Sequence, residues 1–150
     1  MKSIVIATDG SAPAQEAVEV GLELASEQGA DVTFVHVTPA DEFVTTRLGP
    51  APAVPHREEI DESETALQNA AAAAETAGVT FALERISGNT VETIVQLADA
   101  KDADLIVIGS RGRGALASTL LGSVSQGVMT HARRPVLIVR GSHVAAEATV

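Results

Sequence analysis

The sequence predicts a doubly wound α/β fold: a single-domain, open, parallel five-stranded sheet with strand order 3-2-1-4-5 and helices on both faces. Short apolar runs rich in β-branched residues alternate with helical patterns along the chain. Such alternation is typical of parallel sheets joined by right-handed crossovers. Most of the apolar runs are continuous, as expected for strands buried on both faces. With 150 residues, of which 45% are hydrophobic, the chain can bury one core.

Five segments are predicted to be strands. Four of them are continuous apolar runs, whereas the third in chain order alternates in part, which predicts a position at an edge of the sheet. The five predicted strands comprise residues 4–8, 32–37, 79–86, 105–108 and Val136–Val139. Four helical patterns separate them, so the chain order is β-α-β-α-β-α-β-α-β.

The first helical pattern has apolar residues at the 3.6-residue spacing of an amphipathic helix, opposite a row of glutamates. Ser11 is a suitable N-cap, Pro13 suits the first turn, and Gly29 can end the helix. The predicted buried stripe consists of Ala14, Ala17, Val18, Gly21, Leu22 and Ala25.

The other three helices are predicted from shorter stripes of apolar residues. Gly78 ends the second helix, and Asn89 or Thr90 caps the third. Pro135 prevents the fourth helix from continuing into the last strand. The stripes that define these helices cover residues 60–77, 91–98 and Ser123–His131.

Two segments lack any periodic pattern. Residues 38–56 contain four prolines and are predicted to form a long surface loop after the second strand. The residues after Gly141 show no pattern either, and we expect them to be frayed. The predicted nucleotide-binding domain therefore spans residues 1–141, followed by a tail over residues 142–150.

The composition excludes several classes of function. Without Cys, the chain has no disulfide, thiolate zinc site, iron–sulfur cluster or cysteine nucleophile. Without Trp or Tyr, and with three Phe, it lacks the aromatic platforms on which nucleic-acid bases stack. Its 20 Asp and Glu against 10 Lys and Arg give a net charge of −10, which repels duplex DNA and anionic lipid. We therefore expect neither a nucleic acid nor a membrane as a partner.

The sequence also indicates where the protein works. It contains no run of about 18 apolar residues that would predict a membrane-spanning helix. The apolar run near its start is too short for a signal peptide, so we expect a cytoplasmic protein. Few Lys, many Asp and Glu and abundant small residues indicate a halophilic composition, as in proteins kept soluble in concentrated salt.

Two predicted strand exits carry the residues of a candidate binding site. Doubly wound sheets bind ligands beyond the carboxyl ends of their strands, at the point where the strand order reverses. The first strand is followed by Asp9 in a short polar turn, and the fourth strand runs into the Gly- and Arg-rich residues 109–114. If these two strands are neighbours, both exits open onto one crevice.

The second exit is interpreted as a phosphate cradle. Gly109 and Gly112 allow positive φ and a close approach of the backbone to an anion. Arg111 adds a cation within a strongly acidic chain. The following helix would offer free N–H groups at its start, together with the hydroxyls of Ser123 and Ser125. In the alternative interpretation, the glycines serve a tight turn and a close helix–strand contact without any ligand.

Asp9 has two interpretations that the sequence leaves open. It could bind a ribose hydroxyl or a metal ion held by phosphates. Equally, it could cap the turn that follows, which is a common role of Asp. His36, within an apolar run, is expected to be a satisfied core or interface residue. The chain has neither a Gly-Lys-Ser/Thr phosphate loop nor a Gly-x-Ser-x-Gly nucleophile motif, so whether it is an enzyme stays open.

These segments resemble the universal stress protein family across nearly the whole chain. The resemblance rests on the first strand and its turn, on residues 34–37, 103–112 and 121–125, and on the last strand. In the ATP-binding branch of that family, a Gly is followed after two residues by a second Gly, and after nine more by Gly-Ser or Gly-Thr. The same spacing occurs here at Gly109, Gly112, Gly122 and Ser123.

The resemblance implies that ATP, or a related adenine nucleotide, lies across the first and fourth strand exits. The adenosine side would be lined by Ala7, Thr8 and Asp9, and the backbone of Val37 would meet the adenine. The phosphates would be held by Gly109, Gly112, Gly122, Ser123 and Val124, with Ser125 nearby. Mg²⁺ or Mn²⁺ could accompany the phosphates, with Asp9 as a ligand.

The resemblance further implies a homodimer formed through Val136–Val139. This pairing is physically reasonable, because the last strand would otherwise be an exposed apolar edge.

Three functions stand as hypotheses. The first is a stress-response or signalling protein in which ATP binding changes conformation or partner. The second is a slow metal-dependent ATPase, and the third is a nucleotide-free structural or chaperone-like dimer.

Overall fold

A computed structural model describes residues 1–39, 44–46, 49–51, 57–111 and 121–141, with backbone alone at 44–46, 49–51 and 57–61. Gly112 and the predicted tail over residues 142–150 lie outside the described residues. The elements in chain order are β1 (Ser3–Ala7), α1 (Ala12–Gln28), β2 (Asp31–Pro39), β3 (Val44–Thr46), β4 (Gly49–Ala51), α2 (Arg57–Ala77), β5 (Phe81–Gly88), α3 (Thr90–Ala100), β6 (Leu105–Gly109), α4 (Ser123–His131) and β7 (Val136–Val139).

The main sheet has five strands in the order β5-β2-β1-β6-β7, and all four neighbouring pairs are parallel. Counted along the chain within this sheet, the order is 3-2-1-4-5, which confirms the predicted topology. The edge position predicted for the third of these strands is also confirmed, because β5 pairs with β2 alone in the sheet. β1 and β6 are neighbours, so their carboxyl ends meet at one edge of the sheet.

Residues 38–56 were predicted to form a long surface loop, but the described parts of this segment include strand structure. Thr38 and Pro39 extend β2, and β3 pairs with β4 in a separate antiparallel ribbon. A two-stranded ribbon needs no alternating burial, so the segment has no periodicity to detect. Pro39 and Pro50 are compatible with this structure, since a strand that pairs on one side leaves alternate N–H groups unused.

The third predicted strand is shifted along the chain. Residues 79–86 were predicted from their apolar content, whereas β5 covers Phe81–Gly88. Val79 is buried but precedes the strand, because its N–H donates to the Ala74 carbonyl at the end of α2. Burial therefore begins before the sheet pairing does.

Helix caps follow the sequence closely. The Ser11 hydroxyl accepts the Ala14 N–H at 3.4 Å, and Gly29 ends α1 with a φ of 65°. The buried residues of α1 are the six predicted ones. Asn89, not Thr90, caps α3 by accepting the Glu92 N–H at 3.0 Å. Over the ranges given above, none of the helices has the length and apolarity needed to cross a membrane.

Two apolar clusters fill the two faces of the sheet. α1 and α2 cover the face that contains the fully buried Phe34. α3 and α4 cover the opposite face, where Val35 packs with Ile94 and Val128. Because helices cover both faces, the main sheet is accessible at the ends of its strands.

Polar contacts fasten the opposite, amino-end edge of the sheet. Asp104 accepts the N–H groups of Lys2 and Ser3 at 2.6 and 3.0 Å, and these hydrogen bonds lower the pKa of its carboxyl. Arg134 donates to Asp102 at 2.8 Å and to Asp99 at 3.2 Å, which raises the pKa of its guanidinium. The start of β1 and the approach to β7 are thus tied to the turn before β6.

We expect Gly109→Ala to destabilise the fold more than Gly21→Ala does. A Cβ at position 109 would lie 2.8 Å from the carbonyl carbon of Pro13, which is backbone and cannot rotate away. A Cβ at position 21 would meet the end of the Ile6 side chain, which can. Overpacking of this kind costs about 1–3 kcal/mol, whereas alanine in a helix recovers about 1 kcal/mol relative to glycine. Urea unfolding of both variants measures the difference, and equal midpoints would contradict it.

Asp104 should make stability depend on pH in the acid range. Its folded-state pKa is lowered, so its contribution is present at neutral pH and disappears as the pH falls below about 4. The wild type should therefore melt above Asp104→Asn at pH 7, with a gap that narrows on acidification. Glu19→Gln, on the exposed face of α1, controls for the loss of one negative charge. A gap that is constant from pH 7 to pH 3 would contradict the assignment.

Candidate functional site

A cleft of about 670 Å³ opens at the carboxyl-end edge of the sheet, across the exits of β1, β2 and β6. This volume lies in the range of small-molecule sites. Every described residue of the predicted site lines it, namely Ala7, Thr8, Asp9, Val37, Gly109, Arg111, Gly122, Ser123, Val124 and Ser125. The sequence separates these residues by up to 118 positions, and the adjacency of β1 and β6 brings them together.

The start of α4 is anchored to the exit of β6 by Ser110. The Ser110 carbonyl accepts the Gly122 N–H at 2.7 Å and the Ser125 hydroxyl at 2.8 Å. The Ser110 N–H donates to the Val139 carbonyl at 2.8 Å, so the same residue also joins β7. Ser110 is buried, and these contacts hold the amino end of α4 against the cleft.

The first turn of α4 presents main-chain donors. The first hydrogen bond of the helix runs from the Gln126 N–H to the Gly122 carbonyl, so the N–H groups of Ser123, Val124 and Ser125 lie ahead of the helical ladder. No side chain caps this end among the described residues. Three amides and the positive end of the helix dipole therefore line the cleft.

Ser123 and Ser125 differ in what their hydroxyls can do. Ser123 is exposed at the first position of the helix. Ser125 is buried, and its hydroxyl donates to the carbonyls of Ser110 and Gly122 at 2.8 and 3.0 Å. Its hydroxyl proton is therefore engaged within the protein, and its side chain holds the turn at the start of α4.

Gly109 does not have the positive φ expected of an anion-cradle glycine. The described glycines with positive φ are Gly10, Gly29, Gly78 and Gly88. Gly109 ends β6, and a Cβ there would collide with the Pro13 backbone in the first turn of α1. Its role is the close helix–strand contact of the alternative interpretation. That contact leaves the exit of β6 beside the exit of β1.

Asp9 carries out the turn-capping role. Its Oδ1 accepts the Ser11 N–H at 2.9 Å, in a turn where Gly10 has a φ of 80°. The Thr8 hydroxyl accepts the Gly10 N–H at 3.3 Å in the same turn. Because Asp9 also lines the cleft, capping the turn and facing a ligand do not exclude each other.

Val37 directs main-chain groups toward the cleft. On the β1 side of β2, the Val35 carbonyl accepts the Thr8 N–H at 2.9 Å, whereas the Val32 N–H donates to Thr80 on the β5 side. Main-chain groups alternate in direction along a parallel strand, so those of Val37 point to the β1 side, as those of Val35 do. The β1 pairing ends at Val35. Among the described residues, no hydrogen bond joins Val37 to the β1 side.

His36 and Glu62 line the cleft although the sequence did not single them out as site residues. His36 is half-buried and its Nδ1 lies 2.9 Å from the Thr8 carbonyl oxygen, so it is satisfied, as expected. Glu62 reaches the cleft from the acidic start of α2. The sequence signal that could have placed His36 at the cleft was its position in the second strand, two residues after Phe34 and level with the end of β1.

The donor set of the cleft is poor in metal ligands. Within the described ranges, no group of three or more His, Asp and Glu side chains could together hold a metal ion. Asp9, Glu62 and Arg111 are the charged side chains among the described lining residues, with His36 the titratable neighbour. The described lining residues therefore offer a divalent ion single oxygen ligands and no preformed cage.

Comparisons with known proteins agree with this architecture. The sequence pattern of the universal stress protein family matches residues 1–140. A universal stress protein of Methanocaldococcus jannaschii is 37% identical over 144 residues, covering 93% of this chain and 82% of the relative. One of Bacillus subtilis is 34% identical over 144 residues, covering 91% and 97%.

Solved structures of the same kind superpose on the chain. A universal stress protein from Archaeoglobus fulgidus in complex with dAMP has a TM-score of 0.72 at 25% identity, covering 93% of this chain and 98% of that one. Another universal stress protein, in complex with cAMP, has a TM-score of 0.70 at 28% identity, covering 94% and 98%. With its sheet order, its cleft and these relatives, the chain belongs to the universal stress protein family.

Proposed function

We propose that the protein binds an adenine nucleotide in this cleft, with ATP as its ligand, and that binding is linked to a stress response or to signalling. The observation that carries the proposal is one cleft with the main chain of Val37 at one end and the first turn of α4 at the other. Structural relatives that hold cAMP and dAMP support the adenine nucleotide class. The nucleotide-binding domain would comprise residues 1–141.

The Val37 end suits adenine. An extended residue presents its N–H and C=O on the same side of the strand. Adenine carries an acceptor at N1 beside a donor amine at N6 along one edge, so a single residue can satisfy both. Recognition through main-chain atoms leaves the Val37 side chain in the apolar cluster beneath the cleft.

The α4 end suits phosphates. Three first-turn amides and the helix dipole attract anions, and the Arg111 side chain adds a cation nearby. One phosphate group could use all of these donors, so the choice of ATP rests on the spacing of Gly109, Gly112, Gly122 and Ser123, which matches the ATP-binding branch of the family. Any Mg²⁺ or Mn²⁺ would arrive with the phosphates, take most of its ligands from them and from water, and gain an oxygen ligand from Asp9.

A nucleotide in this cleft would contact β1, β2 and α4 at once. Ser110 already connects the start of α4 with β7, which is an edge strand of the sheet. Ligand contacts at α4 would therefore be transmitted to this edge strand. We propose that β7 pairs with its copy in a homodimer, because its four residues are apolar and half-exposed. Nucleotide occupancy and dimer stability would then be coupled.

The acidic composition supports a salt-rich cytoplasm as the place where the protein works.

Ser123→Pro should weaken ATP binding about tenfold or more, whereas Ser123→Ala should change it less than threefold. Proline at the first helical position removes one N–H donor and leaves the helix intact. Gly122, with φ −76° and ψ 168°, already has the extended conformation required before a proline. A hydrogen bond to a charged group contributes about 1.5–3 kcal/mol. Calorimetric titration with ATP measures both variants.

Adenosine, which lacks phosphates, is the control ligand for this pair of variants. Its affinity should be the same in both. Equal ATP affinity in the proline and alanine variants would remove the helix start from the phosphate site. Wild-type protein that neither carries a nucleotide after purification nor binds ATP, dAMP or cAMP would overturn the proposed function itself.

Ile138→Pro should abolish the homodimer, and Ile138→Ala should retain it. The Val139 carbonyl bonds to Ser110, on the β6 side, so by alternation the Ile138 N–H points to the open side of β7. Proline removes that N–H without breaking the β6 pairing, and the alanine variant controls for the shortened side chain. Sedimentation velocity gives the mass of each. A wild-type monomer, or a dimer in both variants, would contradict pairing through β7.

A further inference from the structure

We propose that His36 is the positioning residue that keeps the Val37 amide available to the ligand and thereby sets the preference for adenine; this inference rests on the proposed function. The Val37 N–H points to the β1 side of β2, where a regular parallel ladder would give it an acceptor. That acceptor would be the carbonyl of Thr8, the residue that follows β1. The structure gives this carbonyl another partner.

The ladder stops one step early. The Thr8 N–H donates to the Val35 carbonyl at 2.9 Å, and in a parallel pair the next hydrogen bond would run from the Val37 N–H to the Thr8 carbonyl. In the described part of the chain this hydrogen bond is not formed. Instead, the Nδ1 of His36 lies 2.9 Å from the Thr8 oxygen.

The chemistry of this contact fixes its direction. A carbonyl oxygen accepts hydrogen bonds and never donates, so the Nδ1 of His36 carries a proton and is the donor. Thr8 is a buried residue, and its carbonyl oxygen is satisfied by one side-chain donor. The imidazole supplies that donor from a side chain, which frees the main-chain donor of Val37 for another acceptor at the cleft.

Without the ring, the Thr8 carbonyl would lose the side-chain donor that it has in this structure. In a regular parallel pairing, the Val37 N–H would donate to this carbonyl. That hydrogen bond would extend the pairing of β1 with β2 by one step. The bound base would then lose the Val37 N–H as a hydrogen-bond donor. Adenine would lose the most affinity, because its N1 is an acceptor. Hypoxanthine carries a proton at N1 and an acceptor at O6, so it does not match the N–H and C=O of Val37 even when both are free.

The test compares two isosteric substitutions, His36→Asn and His36→Leu. The Asn amide nitrogen occupies about the position of Nδ1 and can donate to the Thr8 carbonyl, whereas Leu has the same shape without a donor. Affinities for AMP and IMP are measured by calorimetry, because the two nucleotides share their ribose and phosphate. We expect wild type and His36→Asn to prefer AMP, and His36→Leu to lose about tenfold of that preference, as for one hydrogen bond.

Hydrogen exchange of the Val37 amide, followed by NMR in the unliganded proteins, is the second measurement. This amide should exchange faster in wild type and His36→Asn than in His36→Leu, where it joins the ladder. A general loss of stability would speed exchange instead, so the sign separates positioning from a merely structural role. If His36→Leu does not fold, His36→Asn decides alone: retained AMP preference supports the inference, and lost preference overturns it.

The outcomes separate this inference from the proposed function. Wild type that binds neither AMP nor ATP refutes both. Wild type that binds AMP and IMP equally, or a His36→Leu variant that keeps the full preference for AMP, overturns the role of His36 and leaves nucleotide binding in place.

Discussion

The carbonyl of Ser110 is the point on which the arrangement of the cleft depends. The helices α1 and α4, which follow β1 and β6 along the chain, cover opposite faces of the sheet, so the exits of β1 and β6 are left uncovered where the strand order reverses. By accepting the Gly122 N–H and the Ser125 hydroxyl, Ser110 brings the amino end of α4 to this gap. A helix start with free amides would otherwise lie anywhere along the edge of the sheet.

Close packing across the gap supports the same geometry. Gly109 lets the first turn of α1 approach β6 to a distance that no other residue would allow. On the opposite face, Gly127 lets α4 approach Val91 of α3. The amino ends of α1 and α4 are therefore fixed on either side of the β6 exit, which makes the cleft a property of helix packing as much as of the loops that border it.

The elements that the sequence predicts well are those determined by neighbours along the chain. The buried stripe of α1, its caps at Ser11 and Gly29, and the bounds of α4 and β7 depend on local spacing and turn chemistry. The alternation of strands and helices predicts a parallel sheet with few possible topologies, but the pattern of residues left open whether the first and fourth strands are neighbours. The ribbon of β3 and β4 was not predicted, because the sequence of residues 38–56 has no periodic pattern.

The predictions for the site residues show the same difference between local pattern and contacts of distant segments. Their gathering into one cleft was predictable from the topology, but their individual roles depend on contacts between distant segments. Gly109 has the sequence context of an anion cradle, and only its distance to Pro13 reveals a packing role. Ser125 has the sequence context of a ligand donor, and its hydrogen bond to Ser110 engages the hydroxyl. His36 has the context of a core residue until its ring is seen on the carbonyl of Thr8.

Electrostatics explains why main-chain donors must dominate in such a cleft. A chain of net charge −10 repels a polyanion at long range, and Asp9 and Glu62 line the cleft along with Arg111. In concentrated salt the screening length falls to about 3 Å, so neither that repulsion nor the pull of Arg111 acts far beyond contact. Hydrogen bonds from fixed amides are made within that distance and keep their geometry at any salt concentration. Under the proposed function, this acidic protein would therefore bind its nucleotide through the backbone of Val37 and α4, with no need for a basic surface.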